Sequence, residues 1–573
     1  MTLPFVGRSR LAASLRAFIP IRRPELRSAY DYIIVGSGSG GGHLAYRLSE
    51  DPACNVLLIE AGRQDNTPFV HIPVFYFKSI GSPRSDWMFK TDGPTTGLDG
   101  RSLAWPRGKI LGGSSSLNGL LYVRGLASDY DTWANAGNDG WSWDDVLPLF
   151  MSSEDAPYEA EYRGLGGPMS VSDGAHRTDL AERWSTACAE VCQVPRVRDM
   201  SSGAADAETG GAGVSYFSNM KTPDGLRCST AVPLHEVRHK RPNLHILCDT
   251  EVHRLLISKQ RVEGVTIGLE DVHVSSGGEV VLCAGALGSP HILMKNGIGS
   301  PDLLKRAGVE CRHGLLGVGE NMQDHLQLRP KFRVNHPTLN TEMGSLVKHV
   351  VKGGLNWIPA MASPTAWRCG IEFLFKRSGP VGMAASQVCA FVKSDPDVKA
   401  PDLQFHFQPM STTGTPAVYL DSFNAFTASV CILRPESRGR LELQPDLRLR
   451  ISPNYLSTPA DAALAVRSLE IAQEIAEHPS LKEIGAEEHE PPAQTDIAYA
   501  KQIAQTIYHP AGTCKMGPSS DPYAVVDPTL RVHGLDGLRI VDSSIMPTIT
   551  SGNTHAPTVM IAEKAAQLIR ATA

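Results

Sequence analysis

The sequence predicts an α/β protein of two domains, one built on an open, mainly parallel sheet and the other on an antiparallel sheet. Three observations lead to this prediction. A strand–helix–strand unit stands near the start of the chain. Segments beyond residue 400 alternate apolar with polar residues, as strands do when one face is buried. A chain of 573 residues is also too long for a single hydrophobic core.

The strand–helix–strand unit begins with a short apolar run, YIIV at residues 32–35, which is typical of a buried parallel strand. The turn GSGSGG follows at residues 36–41, and Leu44, Ala45 and Leu48 then form the apolar face of a helix. A second apolar strand, residues 56–59, ends at Glu60. This order of elements is typical of a dinucleotide-binding unit.

The glycines of the turn each allow one contact. Gly36 permits the tight turn, Gly38 lets the backbone approach a pyrophosphate, and Gly41 allows close packing of helix against strand. The phosphates would lie at the helix start, around Ser39, where unpaired amides and the helix dipole attract anions. Glu60 would accept hydrogen bonds from the ribose hydroxyls of the adenosine half. The unit predicts a dinucleotide site but does not by itself separate FAD from NAD.

Composition narrows the class of protein. The net charge of -5 disfavours a nucleic-acid partner. The 11 cysteines include no C-x-x-C pair, which favours reduced thiols in an intracellular protein over a disulfide framework. Cys188 and Cys192 are one helical turn apart, but further ligands are lacking nearby, so we predict no metal site. No apolar run reaches the roughly 18 residues of a membrane-spanning helix.

Residues 1–28 differ in character from the rest of the chain, because they carry six arginines against one acid, Glu25. This composition is typical of a mitochondrial targeting peptide, and equally of a basic segment that touches acidic lipid. A disordered leader is the third interpretation. The arginines are Arg8, Arg10, Arg16, Arg22, Arg23 and Arg27.

Five further motifs follow in a fixed order: residues 105–118 (WPRGKILGGSSSLN), 285–299, 317–325, 508–517 (YHPAGTCKMG) and 552–557 (GNTHAP). Together they resemble the glucose-methanol-choline (GMC) oxidoreductases. The branch they resemble most is that of the choline dehydrogenases and membrane-associated alcohol dehydrogenases. The resemblance covers residues 29–571. One departure is Asn296, which stands where the second family signature has serine.

The resemblance implies FAD as the cofactor. Arg107 belongs to the first signature, and Gly112, Gly113 and Asn118 are expected against the flavin and its phosphates. Some relatives bond FAD to a histidine just after this glycine–serine core, where this chain has Ser116 and Leu117, so we expect non-covalent binding.

Two more cofactor contacts are expected far from the first signature. Val252, at the end of a strand over residues 248–252, is expected to contact the adenine through its backbone. Asp542 is expected to precede the helix that approaches the isoalloxazine.

The catalytic residues are also implied by the resemblance. His509 occupies the position of the family's base, and histidine suits this task because its pKa lies near neutrality. Asn553 occupies the partner position and can donate to the substrate oxygen. His555, where this branch commonly has asparagine, could tune the flavin, line the pocket or bond locally. Asp324 and His325 are interpreted as structural.

The motifs divide the chain into domains. Residues 29–150, 225–330 and 505–573 would form the FAD-binding domain, and residues 151–224 and 331–504 the substrate-binding domain. In the latter, residues 403–407 and 440–443 alternate as strands of an antiparallel sheet would, and residues 461–478 form a core-facing helix.

The predicted reaction is oxidation of a primary alcohol to the aldehyde. Choline-oxidising relatives place glutamate where this chain has the neutral Gln327, so a neutral aliphatic or polyether alcohol fits better than choline, unless Gln327 faces solvent. The resemblance favours a quinone or carrier over oxygen as electron acceptor. The basic leader would suit peripheral docking on a membrane. The expected location is the bacterial cytoplasm or the periphery of the inner membrane, or the mitochondrion in a eukaryote.

Several alternatives stay open. Choline dehydrogenation is one, and hydroxynitrile cleavage, a lyase reaction on the same fold, is another. Light-driven decarboxylation is disfavoured, because relatives with that activity carry cysteine before an Arg-Pro pair, where this chain has Leu433, and lack the histidine. A flavin-binding scaffold without activity is disfavoured by the competent residues at both catalytic positions. An NAD-linked dehydrogenase would not explain the later motifs.

Overall fold

The computed structural model describes residues 11–174, 176–201, 209–342, 364–414, 419–491 and 495–571. Within these ranges the chain forms a seven-stranded sheet and an eight-stranded sheet, with the longer helices packed against them. The mixed α/β class and the two-sheet architecture predicted from the sequence are confirmed.

The seven-stranded sheet is built around the N-terminal strand. Apolar strands that are buried on both faces pair in parallel here, as in a dinucleotide fold, and an antiparallel meander extends one edge. The strand order is Leu244–Leu247, Val56–Ile59, Ala29–Val35, Glu270–Leu282, Arg261–Ile267 and Val252–Ser258, with Leu538–Ile540 paired to Glu270–Leu282.

The eight-stranded sheet is antiparallel throughout its register. Its order is Glu487–Glu488, Lys331–Arg333, Ala425–Ile432, Leu403–Gln408, Val388–Val392 and Gly213–Tyr216. Leu326–Leu328 pairs with both Ala425–Ile432 and Gln505–Thr506. The domain boundaries drawn from the sequence stay a prediction, and two strands that it placed in the FAD-binding segments, Leu326–Leu328 and Gln505–Thr506, lie in this sheet.

The helices cover the sheets, and the helix after the glycine turn packs along the last helix of the chain. Their bounds are Leu11–Arg16, Ser39–Leu48, Pro68–His71, Tyr76–Ser79, Ala127–Asn135, Trp143–Ser153, Asp179–Val191, Ala231–Val237, Gly285–Lys295, Pro301–Arg306, Leu339–Glu342, Pro364–Lys376, Pro459–Ala476, Pro479–Lys482, Ile497–Ile503 and His555–Arg570. Short strand pairs are Phe89–Lys90 with Ala104–Trp105, Leu121–Tyr122 with Ser218–Asn219, Glu154–Asp155 with Met169–Ser170, Ile298–Gly299 with His313–Gly314, and Thr412–Thr413 with Tyr419–Leu420.

Three sequence-based boundaries differ from the structure. Arg440–Leu443 pairs with Leu449–Ser452 in a separate two-stranded ribbon, because the chain turns back at once instead of joining the large sheet. The strand expected over residues 248–252 is instead a turn, in which Asp249 has a φ of 52°, and Val252 begins the next strand. The helix expected over 461–478 spans Pro459–Ala476, because Thr458 caps its first turn.

The described part of the leader lies against the FAD-binding segments. Gln64 accepts a hydrogen bond from the amide of Ile21 at 2.8 Å and donates to the carbonyl of Ile19 at 2.8 Å. Ala17 is fully buried. The interpretation as a disordered leader therefore does not describe this part, while Arg8 and Arg10 lie outside the described residues. None of the helices described is long and apolar enough to cross a membrane.

Candidate active site

A cavity of about 420 Å³ separates the two sheets. One wall is formed by the carboxyl ends of the parallel strands and the loops that follow them, and the other by one face of the eight-stranded sheet. The loop that carries His509 closes the space between them. A crevice at the carboxyl ends of parallel strands is where α/β folds bind dinucleotides.

The glycine turn at residues 36–41 forms part of the first wall. A Cβ on Gly36, whose φ is 99°, would lie 2.6 Å from the carbonyl oxygen of Cys283, and one on Gly41 would lie 1.9 Å from the carbonyl oxygen of Gly36. Side chains are therefore excluded at both positions by the protein itself. A Cβ on Gly38 would meet no atom within 4 Å, and this residue faces the cavity. Gly38 thus leaves room for a ligand phosphate, and its role as a phosphate contact stays a prediction.

The second glycine segment lies directly on the first. Gly112, with a φ of 86°, donates its amide to Ser37 Oγ at 3.0 Å. A Cβ on Gly113 would lie 2.7 Å from the Cα of Gly38. Gly113 lines the cavity, whereas Gly41 and Gly112 lie behind its wall. The structure therefore brings the two glycine segments together. Gly41 and Gly112 allow the backbone to pack closely and do not face the cavity.

Acidic side chains fix the ends of these loops. Glu60 accepts hydrogen bonds from the amide of Ser37 at 3.0 Å and from the amide of Gly62 at 2.8 Å, and burial raises its pKa. Asp542 accepts from the amide of Gly285 at 2.9 Å and caps the short helix at Ser543–Ile545. Both carboxylates also line the cavity, and each oxygen can accept more than one hydrogen bond.

The remaining cofactor positions lie on the same wall. Val252 begins its strand at the cavity edge. Asn118 faces the cavity and accepts from Arg227 at 2.7 Å, while Arg107 lies at the other end and donates to the carbonyl of Tyr508 at 2.6 Å. Arg107 thereby holds Tyr508, which precedes His509 and has a φ of 69°.

Two buried polar atoms in the cavity lack a partner among the described residues. His555 bonds Ser39 Oγ through Nδ1 at 2.7 Å, and its Nε2 has no hydrogen-bond partner there. The Oδ1 atom of Asn553 is also without one. Buried polar groups are almost always hydrogen-bonded, so these atoms and the open face of Gly38 fit a polar, phosphate-bearing cofactor.

His509 is held by three contacts. Asp324 accepts from its backbone amide at 2.8 Å, His325 Nδ1 lies 3.0 Å from its Nδ1, and Asn553 Nδ2 lies 3.2 Å from its Nε2. The two imidazole rings meet edge to face at an angle of 83°. Asp324 and His325, interpreted as structural from the sequence, therefore contact the candidate base directly.

These contacts fix the positions of the protons. His325 Nε2 lies 3.2 Å from the carbonyl of Leu433, which can only accept, so Nε2 carries the hydrogen. Burial lowers the pKa of His325 to about 4, so its Nδ1 is bare and accepts from His509 Nδ1. Burial, with His325, His406 and Arg107 nearby, also lowers the pKa of His509. His509 is therefore neutral, with its bare Nε2 beside the amide of Asn553.

Polar side chains of the eight-stranded sheet line the same cavity as His509. His406 is buried there, and neither of its ring nitrogens has a partner among the described residues. Gln327 is also buried and lines the cavity, so the alternative that it faces solvent is wrong. Arg329 donates to Gln408 at 3.2 Å and to Thr412 at 3.3 Å.

The sequence analysis missed most of this second wall. Gln404, His406 and Gln408 alternate with buried apolar residues of one strand, and such alternation also occurs in strands with one face in solvent. The signal that distinguishes a cavity from solvent is the pairing of this strand with its neighbours, which the pattern of one segment does not contain.

Comparison with known proteins agrees with this geometry. Residues 30–327 match the model of the GMC oxidoreductase N-terminal domain and residues 435–562 that of the C-terminal domain. The chain therefore belongs to the GMC oxidoreductase family, as its motifs predict. It is an FAD-binding oxidoreductase, and the prediction of FAD is confirmed.

Individual relatives cover almost the whole chain. An alcohol dehydrogenase [acceptor] of Pseudomonas putida is 36% identical over 555 residues, which span 94% of this chain and 95% of the relative. The mitochondrial choline dehydrogenase of Homo sapiens is 36% identical over 565 residues, or 95% and 90% of the two chains. The crystal structure of pyridoxine 4-oxidase from Mesorbium loti has a TM-score of 0.80 at 32% identity, covering 94% and 98%.

Proposed function

We propose that this enzyme oxidises a neutral primary alcohol, aliphatic or polyether, to the aldehyde, with His509 as the base. The observation that carries the proposal is the neutral ring of His509, whose bare Nε2 faces the cavity beside the amide of Asn553. A base of this kind must be unprotonated before substrate arrives, and burial provides that condition.

The hydrogen bonds around His509 indicate the path of the substrate proton. His509 Nε2 takes the hydroxyl proton of the alcohol, and the amide of Asn553 donates to the oxygen that becomes negative. The ring then carries a positive charge, and its Nδ1–H remains bonded to the bare Nδ1 of His325. Asp324 and Arg107 hold the backbone on either side, so the ring stays in place through the transfer.

When bound, FAD would supply the hydride acceptor for the oxidation of the carbinol carbon. Among the predicted ligands, Gly36, Gly38, Ser39 and Gly113 would surround the pyrophosphate, and Val252 would meet the adenine. His555 and Asn118 would lie nearer the flavin. Ser116 stands in place of a linking histidine, which supports non-covalent binding.

The charge of the substrate side supports a neutral alcohol. The acidic residues that line the described cavity are Glu60, Glu251 and Asp542, and all three belong to the dinucleotide wall. The wall formed by the eight-stranded sheet carries the neutral Gln327 and the cationic Arg329. A quaternary ammonium would meet a guanidinium there in place of a carboxylate. Choline dehydrogenation remains the alternative, supported by relatives with that name.

A quinone or carrier is the proposed electron acceptor, by analogy with the acceptor-linked relative from Pseudomonas putida. The eleven free cysteines support a reducing, intracellular location. The arginines of residues 1–28 support contact with a membrane surface.

A substrate panel on the purified enzyme tests the proposal. Neutral alcohols should bleach the bound flavin without oxygen and reduce a quinone-like dye faster than oxygen, whereas choline should react slowly. Rapid bleaching by choline alone would establish the alternative. Cleavage of a cyanohydrin without any bleaching by alcohols would instead indicate a lyase.

A further inference from the structure

Arg227 is a buried cation that the proposed proton transfer does not use. In the part of the chain that the structure describes, no carboxylate forms an ion pair with it, and burial lowers the pKa of its guanidinium to about 9. Burying a charge without a counter-ion is costly, because the charge loses its hydration. A group kept in such an environment is a candidate for a role in the function of the protein.

The hydrogen bonds of Arg227 connect it to the cavity wall. Its Nε donates to the carbonyl of Val70 at 2.9 Å. Its Nη1 donates to the carbonyl of Ser115 at 3.2 Å and to Oδ1 of Asn118 at 2.7 Å. Of these three acceptors, only Asn118 lines the cavity. Arg227 therefore reaches the cofactor site through the side-chain amide of Asn118.

The contacts of Asn118 determine which way its amide points. Its Oδ1 accepts from Arg227 and from the backbone amide of Leu120 at 3.1 Å, and both of these groups can only donate. The oxygen is thereby held inside the protein, and Nδ2 is the polar atom left to meet a ligand in the cavity. A charge-assisted hydrogen bond to the oxygen also polarises the amide, which makes Nδ2 a stronger donor.

The charge of Arg227 also acts on a second residue of the same wall. Burial lowers the pKa of His555 to about 4, and Arg227 contributes to this effect. His555 lines the cavity, so the positive charge is felt where the cofactor binds. A positive charge near a flavin favours the reduced form, because reduction adds electron density to the ring.

We infer that Arg227 is a positioning residue for the cofactor: it orients and polarises the amide of Asn118, whose Nδ2 donates to the flavin ring and favours its reduction. The inference requires FAD in the cavity, but it does not depend on which alcohol is oxidised. It therefore extends beyond the proposed function.

The reduction potential of bound FAD tests the inference without any substrate. Arg227→Met should shift the ratio of reduced to oxidised flavin about tenfold towards the oxidised form, which is about 30 mV for a two-electron couple. Arg227→Lys keeps the charge and a donor, so it should restore most of the shift. An anaerobic titration against a reference dye measures the potential.

Arg241→Met is the matched control for this experiment. Arg241 is half-buried and also donates to a backbone carbonyl, that of Tyr46, but it does not line the cavity. Its replacement should leave the potential at the wild-type value. A wild-type potential in Arg227→Met as well would overturn the inference. Weaker binding of FAD by Arg227→Met at an unchanged potential would also overturn it, because that result describes a purely structural role.

Variants of Asn118 test the route of the effect. Asn118→Asp replaces the donor with an oxygen that pairs with Arg227, so it should lower the potential at least as far as Arg227→Met. It keeps the guanidinium bonded and therefore decides the question if Arg227→Met fails to fold: an unchanged potential in Asn118→Asp would overturn the inference.

A double variant shows whether the two residues act together. Asn118→Ala removes the amide, so adding Arg227→Met to it should cause little further shift in the potential. A full additional shift would overturn the route through Asn118. Failure of every alcohol to reduce the flavin would instead overturn the proposed function, and it would leave these potentials unaffected.

Discussion

The two walls of the cavity are built on different principles. On the dinucleotide wall, Gly36 and Gly41 stand where a side chain would clash with the backbone. The carboxylates of Glu60 and Asp542 accept hydrogen bonds from backbone amides. On the wall of the eight-stranded sheet, both ring nitrogens of the buried His406 are without a partner among the described residues. The carboxylates of the dinucleotide wall are thus bonded within the protein, whereas His406 on the substrate wall keeps both ring nitrogens available to a ligand. We expect changes to the first wall to abolish binding and changes to the second to alter selectivity.

The largest effect should come from the glycine that faces the cavity. Gly38→Val places a side chain where nothing in the protein meets it, so the protein should fold but lose FAD at least a hundredfold in affinity. Flavin absorbance after reconstitution measures this. Gly370→Val, also at an open position, is the control and should keep the yellow colour. Retention of FAD by Gly38→Val would contradict the prediction that the phosphates of FAD lie against Gly38.

The next effect separates chemistry from binding. His509→Ala should leave FAD bound but slow flavin reduction by a hundredfold or more, because a positioned base contributes on the order of 10² to 10⁴. Stopped-flow absorbance measures the rate, and the exposed His239→Ala is the matched control. Reduction at the normal rate would refute the base assignment.

His325 should act as a positioning residue for the base. His325→Leu removes the acceptor for His509 Nδ1–H, so part of the His509 population would carry its proton on Nε2. Flavin reduction should slow about ten- to hundredfold, and the acid limb of its pH profile should move to higher pH, because His325 is one of the groups that lower the pKa of His509. His325→Gln keeps an acceptor and should restore much of the rate. An unmoved pH profile in His325→Leu would indicate a merely structural role.

The substrate wall should respond through selectivity. Gln327→Glu places a carboxylate in the cavity that His509 lines, so the ratio of kcat/KM for choline to that for a neutral alcohol should rise about tenfold. Gln260→Glu adds the same charge at an exposed site and should leave the ratio unchanged. A constant ratio in Gln327→Glu would mean that this residue does not meet the substrate.

Acid should weaken the fold through the buried histidines of both walls. Burial lowers the pKa to about 4 in His325 and His555 and to about 3 in His406. The unfolded chain takes up these protons below about pH 6.5, so the free energy of unfolding is highest above that pH and falls as the pH drops towards 4. At pH 5, each of these histidines should lower the free energy of unfolding by on the order of 1 to 2 kcal/mol. Thermal unfolding at pH 7.5 and pH 5 measures the loss, and equal midpoints would contradict it.

The sequence predicted the dinucleotide wall better than the substrate wall, and the reason is physical. The turn at Gly36, where φ is 99°, depends on local backbone sterics, so residue type alone reveals it. The contact of His325 with His509 joins residues 184 positions apart and depends on the pairing of strands. Local pattern likewise failed at Asp249, where the chain turns between two strands instead of continuing one.

The hydrogen bond between Ser39 and His555 joins residues 516 positions apart. The helix at His555–Arg570 also packs on the helix that starts at Ser39. During synthesis on the ribosome, Ser39 can therefore form this contact only after the helix at His555–Arg570 has been made. We therefore expect stable binding of FAD only after the helix at His555–Arg570 has been made.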